Sequence, residues 1–145
     1  MSHLENQLDA LVNQILLKAE NQHELLFGSC QSDVRLTNTQ EHILMLLLHE
    51  KLTNAKLAER LNISPAAVTK ALKKLQQLQL THSEKSTSDE RIVLWRLSQT
   101  GLPIAQEHAH HHQATLETYA SIADAFSENE QQIIARFLEK LEKEF

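Results

Sequence analysis

The chain has 145 residues, a formal net charge of −5, 41% apolar and 23% charged residues, and only two Gly, two Pro and one Cys. That is one domain's worth of chain with room for a real core, and the composition is that of a mainly helical globular protein. One cysteine excludes an internal disulfide framework, the polar start MSHLENQLDALVNQ does not read as a secretory leader, and no apolar run reaches the roughly 18–20 residues that span a bilayer, so a cytoplasmic protein without membrane contact is expected.

The first predicted helix covers residues 4–27, with Leu4, Leu8, Leu11, Val12, Ile15, Leu16 and Ala19 at three- and four-residue steps. A loop is expected over 28–36. In LTNTQEHILMLLLHE, Thr37 and Gln40 have capping-box spacing ahead of an apolar run over 43–48. TNAKLAERL predicts a short helix with Leu57, Ala58 and Leu61 on one face. NIS interrupts it, and SPAAVTKALKKLQQLQL restarts it with Ser64 as N-cap and Pro65 at the first helical position. Val68, Leu72 and Leu75 should then point inward, and Ala66, Thr69, Lys70 and Lys73 outward. A strand over 80–84 and the β-branched IVLWRL predict a hairpin whose tip carries Lys85, Asp89 and Arg91. A long helix over 102–125 follows, with Pro103 tolerated in its first turn. Ser127 and Glu130 cap a last helix that puts Ile133, Ile134, Phe137, Leu138 and Leu141 on one face.

The net charge conceals an asymmetry. Nine of the 14 Lys and Arg, but only four of the 19 Asp and Glu, lie in residues 51–97, which gives +5 there and −10 elsewhere. A basic centre between acidic ends is the footprint of a polyanion-binding module; scattered surface lysines are the plain alternative. Helix, tight turn, helix and two-stranded wing make a winged helix-turn-helix, whose second helix fits a major groove just wide enough to admit it. Ser64, Thr69, Lys70 and Lys73 are candidate donors to phosphates or base edges. Ala66 and Ala67 could meet thymine methyls, and Arg91 could reach the adjacent minor groove or backbone from the wing tip. A helical hairpin with a solvated lysine face stands against this reading.

EHAHHH, residues 107–112, holds a glutamate and four histidines. On a helix His108 and His112 point the same way, about 6 Å apart at their β-carbons, a spacing that chelates one metal ion well. A histidine-rich solvated face is the alternative. Glu41 and His42 fall in the first turn of an apolar helix, Cys30 in the loop before it, and Glu24 near the end of the first helix, with Glu20 one turn away as a possible substitute. Nitrogen, carboxylate and thiolate donors together suit zinc, a borderline ion that accepts all three. The chain has no HExxH, no GxSxG and no Gly-rich phosphate loop, and Glu107 and His108 diverge by about 100° on a helix, so no enzyme is expected.

The order of helices and wing, with LAERLNISPAAVTKALKKLQ, SDER and LSQTG, resembles the MarR family of dimeric bacterial repressors over essentially the whole chain. Asp89 and Arg91 match that family's Asp and Arg two apart in the wing. AENQHELLFGSC, LTNTQEHILMLL and EHAHHH resemble its zinc-sensing branch, the repressors of zinc uptake of the AdcR/ZitR type. The resemblance implies a mainly α, MarR-like single domain over 1–145: a winged helix-turn-helix core at 37–99, with 1–36 and 100–145 supplying dimerisation helices. It also implies a homodimer on double-stranded DNA, its recognition helices roughly 34–36 Å apart and its operator therefore an inverted repeat. Zinc would be the co-repressor, with two ions per protomer. The principal site implied is Glu24, His42, His108 and His112, and the second is Cys30, Glu41 and Glu107. No role is assigned to His23, His49, His110 or His111. Two alternatives stay open: a member of the same family that senses a small organic ligand, with the histidines incidental, or a metal store that would not need the basic helix.

Overall fold

The computed structural model describes residues 3–21 and 35–145, a mainly helical chain in the order α1 (His3–Asn21), α2 (Asn38–Leu47), α3 (Asn54–Leu61), α4 (Pro65–Gln77), β1 (Thr81–Lys85), β2 (Val93–Leu97), α5 (Gly101–Ala123) and α6 (Glu128–Glu142). It forms two compact units, Met1–His111 and His112–Phe145. The expected continuation of the first helix to residue 27 and most of the loop before α2 lie outside the described residues.

In the first unit α2, α3 and α4 begin where their local chemistry dictates. Thr37 caps α2 through the amide of Gln40, and the Gln40 side chain returns the bond to the Thr37 amide, completing a capping box. Thr53 caps α3 through Lys56, and Ser64 caps α4 through Ala67 with Pro65 at the first position. Asn62 ends α3 in the left-handed region, φ 54°, which a short polar side chain tolerates, so the chain turns at once into α4. Ile43, Leu44, Leu57, Val68, Leu72, Leu75 and Ala105 close into the core, and each large side chain buried there contributes about 2 kcal/mol of transfer free energy.

The wing is antiparallel, with register Thr81↔Leu97, Ser83↔Trp95 and Lys85↔Val93. The first strand begins at Thr81 rather than residue 80, because Leu80 closes the end of α4: its amide donates to the Leu75 carbonyl and its side chain is buried. Leu52, in the α2–α3 connection, forms a lone bridge with Trp95 and exchanges two backbone hydrogen bonds with it, 3.2 and 2.8 Å.

The end of β2 and the start of α5 are tied to the end of α4. Gln79 has φ 60°, and its carbonyl accepts from both the Ser98 and Thr100 hydroxyls, each at 2.7 Å. Ser98 also donates its amide to the Leu80 carbonyl and accepts from the Gly101 amide, so it caps α5. Gly101 packs so close to Leu80 that a β-carbon there would lie 2.1 Å from the Leu80 carbonyl oxygen. The LSQTG stretch is thus a knot joining helix, wing and helix.

In the second unit Ser127 and Glu130 form the expected capping box on α6. Those bonds hold the Glu130 carboxyl below its ordinary range, the Ser127 amide being the larger cause. α5 ends at Ala123 rather than 125, its last turn tightening through a three-residue bond from the Ala125 amide to the Ile122 carbonyl. Tyr119, Ile122, Phe126, Ile134 and Leu138 line an apolar cleft of about 480 Å³. Leu4, Leu11, Ile15 and Leu16 of α1 and Ile133, Phe137 and Leu138 of α6 are exposed on their respective helices. No helix among the described residues is long and apolar enough to cross a membrane.

Candidate metal centre and nucleic-acid interface

The capping box at Thr37 engages the Gln40 side chain and leaves Glu41 and His42 as the next two positions of α2. Glu41 turns into the protein, 4% exposed, and His42 is half-buried. From the start of α5, Ala105 and His108, three apart and therefore on one face, are both buried, His108 at 3% exposure. The imidazole of His108 meets both α2 residues. Its Nδ1 lies 3.4 Å from Oε2 of Glu41, and its ring stands edge-on to that of His42 with centroids 5.2 Å apart and planes at 73°.

His42 is oriented from its own helix, since Nδ1 lies 2.8 Å from the Asn38 carbonyl oxygen. A carbonyl only accepts, so Nδ1 carries a proton and Nε2 is the nitrogen that a metal could take. Metal-binding imidazoles are held in this way, by an outer carbonyl or carboxylate on the other ring nitrogen. Nδ1 of His108 faces the Glu41 carboxylate at ion-pair distance. His42 also lines a pocket of about 250 Å³ with Asn38, Thr39, Leu61 and Ile63. The donor chemistry is that of part of a zinc shell, two imidazoles beside a carboxylate in a largely buried setting, which further ligands would have to complete.

The other expected ligands are placed as follows. Glu107 is partly exposed and pairs with His111 one turn on, at 3.8 Å, and His110 and His111 are edge-on at 6.0 Å. His112 opens the second unit. Glu24 and Cys30 lie outside the described residues. Among the described residues no three His, Cys, Asp or Glu side chains group so as to hold a metal ion. One contact goes unforeseen by the sequence: Glu41, expected in the second site, touches His108, expected in the first.

On α4, Val68, Ala71, Leu72 and Leu75 are buried. Ser64, Ala66, Thr69, Lys70 and Lys73 are exposed and Ala67 is half-buried, so the expected outward face is outward. Of the nine basic residues of the segment, five are already in ion pairs: Lys51 and Arg96 with Glu84, Lys56 with Glu59, Arg60 with Glu50, and Arg91 with Asp89. Lys51 is the first cause that holds the Glu84 carboxyl below its ordinary range. Among the described residues Lys70, Lys73, Lys74 and Lys85 are in none, so the unneutralised charge is concentrated on α4 and the wing.

At the wing tip Arg91 is 90% exposed at its side chain and forked onto Asp89, Nε to Oδ1 at 3.1 Å and Nη2 to Oδ2 at 3.2 Å, with its amide also donating to Oδ1. The guanidinium holds the Asp89 carboxyl below its ordinary range, the amide adding to the effect. A fork fixed at one edge leaves the outer amino group projecting, a pre-oriented cation rather than a free-swinging one. Sequence reasoning also misses a buttress behind α4: Trp95 Nε1 donates to Asn54 Oδ1 at 2.7 Å, and Asn54 Nδ2 donates to Thr69 Oγ1 at 3.2 Å. The lone tryptophan of the wing is the one signal that could have pointed to it.

Known proteins share this fold. A family model for the MarR family matches residues 36–93. Transcriptional regulator AdcR of Streptococcus pyogenes serotype M6 is 56% identical over 138 residues, covering 95% of this chain and 94% of its own. The solved structure of wild-type Lactococcus lactis ZitR in complex with DNA is 54% identical, with a TM-score of 0.83 over 100% of this chain and 99% of that one. A crystal structure of Lactococcus lactis ZitR described as a zinc-responsive MarR family member is 54% identical, with a TM-score of 0.77 over 98% and 99% of the two chains.

Proposed function

The chain belongs to the MarR family, and we propose that it is a zinc-dependent transcriptional repressor. It works in the cytoplasm as a homodimer, binds a palindromic operator, and uses zinc as co-repressor to control zinc-uptake genes. The observation that carries this reading is the meeting of Glu41, His42 and His108 between α2 and the start of α5, in the same unit as an exposed basic α4. It is supported by the zinc-responsive and DNA-bound relatives. The family's members are transcriptional regulators, and this chain is one rather than an enzyme.

The module spans 1–145, with the DNA-binding core at 37–99 and with 1–36 and 100–145 supplying the dimerisation helices; α1 and α6 each expose apolar side chains that suit this. Each protomer holds two zinc ions, one with Glu24, His42, His108 and His112, the other with Cys30, Glu41 and Glu107. Bound zinc supplies a compact positive charge that accepts imidazole, carboxylate and thiolate donors in one shell. The protein's own part is orientation. The Asn38 carbonyl aims His42, and the Glu41 carboxylate stands behind His108. His108 rides on α5, whose first residues are tied to the end of α4 at Leu80, so the ligands and the reading helix share one frame.

Allosteric coupling of this kind is about 1–3 kcal/mol, so zinc is expected to raise operator affinity roughly 5–150-fold. Titrating a labelled palindromic duplex with the protein, once with zinc and once with a chelator, measures it. Equal affinities would overturn the co-repressor role and favour sensing of a small organic molecule, for which the apolar cleft between α5 and α6 is the place to look.

The basic face makes a separate prediction. Lys70, exposed and outside any ion pair among the described residues, should contact phosphate, which carries no sequence information. Lys70→Ala is expected to weaken binding to specific and random duplexes alike. It should also lower the slope of log affinity against log salt by about 0.9 per contact, hence about 1.8 in the dimer. An unchanged slope removes Lys70 from the interface.

A further inference from the structure

Thr69 stands in the middle of the outward face of α4, where a threonine would ordinarily be assigned a donor role toward phosphates or bases. Its hydroxyl is engaged elsewhere. The O–H donates to the Pro65 carbonyl at 3.0 Å, and the oxygen accepts from Asn54 Nδ2 at 3.2 Å. Asn54 is itself held from the wing by Trp95 at 2.7 Å. A hydroxyl has one proton to donate, and this one is already donated. Phosphate oxygens and the N7, O6 and O4 edges of the major groove accept hydrogen bonds and do not give them, so the oxygen as held offers them nothing. Thr69 is nonetheless exposed, and what it has left to present is its methyl group and one oxygen lone pair, which only an adenine or cytosine amino group could use. Ala66, three residues earlier on the same face and also exposed, adds a second methyl, with Lys70 and Lys73 alongside.

We propose that Thr69 is a specificity-determining residue that reads DNA through its methyl group, which with Ala66 forms an apolar spot fitted to the C5-methyl of thymine, while Asn54 acts as a positioning residue that keeps the hydroxyl turned away. This rests on the DNA-binding function proposed above and adds the base that the centre of α4 selects. A thymine methyl is the one apolar group that a base edge shows in the major groove.

Two substitutions separate the two halves of the side chain. Thr69→Ser keeps the hydroxyl and removes the methyl; Thr69→Val keeps the methyl and removes the hydroxyl. The probe is a palindromic duplex selected from a random pool by the wild-type protein with zinc, in which each thymine of a half-site is replaced in turn by deoxyuridine. At one thymine the wild type is expected to lose about fourfold in affinity per half-site, the value of one buried methyl. Thr69→Ser should lose a similar factor on the unmodified duplex and show no further loss with uracil at that position. Thr69→Val should stay within about twofold of wild type and keep the uracil penalty. Thr69→Val losing as much as Thr69→Ser, or a uracil penalty identical in wild type and Thr69→Ser at every position, overturns the inference while the protein still binds its operator. A wild type that binds no duplex at all overturns the proposed function and this reading with it.

Discussion

His108→Ala is expected to bind operator equally well with zinc and with a chelator, abolishing the roughly 5–150-fold enhancement of the wild type. His108 is the side chain through which the two α2 residues are joined to α5. It is 3% exposed, 3.4 Å from the Glu41 carboxylate and 5.2 Å, ring to ring, from His42. Removing it takes out the donor common to both contacts and leaves a buried carboxylate beside a hole, which costs about 1–3 kcal/mol in its own right. The variant should therefore be checked by circular dichroism, and its operator affinity compared with that of wild type in chelator, which it should match. His49→Ala, an exposed position near the end of α2 with no assigned role, should keep the full zinc response. A His108→Ala protein that still gains from zinc would place the switch elsewhere.

Gly101→Ala is expected to lower stability by about 3 kcal/mol, at the upper end of what one added methyl does in a packed region. A β-carbon at this position would lie 2.1 Å from the Leu80 carbonyl oxygen, 3.0 Å from its carbon and 3.3 Å from its Cα. All three are backbone atoms, so no side chain can rotate away to make room. The Leu80 carbonyl is also fixed, as the acceptor of the Ser98 amide at 3.0 Å. Relief must come from moving α5 off the end of α4, which breaks the bonds from Ser98 and Thr100 to Gln79. Urea unfolding at fixed protein concentration, needed because a dimer's midpoint shifts with concentration, measures the loss. Gln99→Ala, exposed and two residues away, should stay within about 0.5 kcal/mol. A Gly101→Ala variant as stable as wild type would mean that the close approach is not needed.

Much of the fold was legible because it is written in local rules. Thr37 with Gln40, and Ser127 with Glu130, specify their capping boxes within four residues, and Ser64-Pro65 starts α4 for the same reason. The inward and outward faces of α4 follow from a 3.6-residue period. What was not legible depends on elements distant in the chain. The resemblance assigned Glu41 and His42 to different sites, yet α5 brings one imidazole to both. The count of nine basic residues was right as a total, but only the fold reveals that Glu50, Glu59, Glu84 and Asp89 already pair with five of them. The Trp95–Asn54–Thr69 chain links residues 41 and 15 apart, beyond any local pattern, and it changes what Thr69 can offer. Glu24 and Cys30 rest on the resemblance, since they fall outside the described residues.

The bridge between Leu52 and Trp95 gives the wing an unusual mechanical character. A two-stranded arm would normally swing at its root, but here the middle of β2 is gripped from both edges, by Ser83 on one side and Leu52 on the other. Beyond the grip lie residues 86–92, the fingertip that carries the Asp89–Arg91 fork and is closed by the Ser86 amide donating to the Ile92 carbonyl at 2.8 Å. A root held on both edges hands its orientation on to the tip, so the Asp89–Arg91 fork and the outward face of α4 share one anchorage through Leu52 and Trp95.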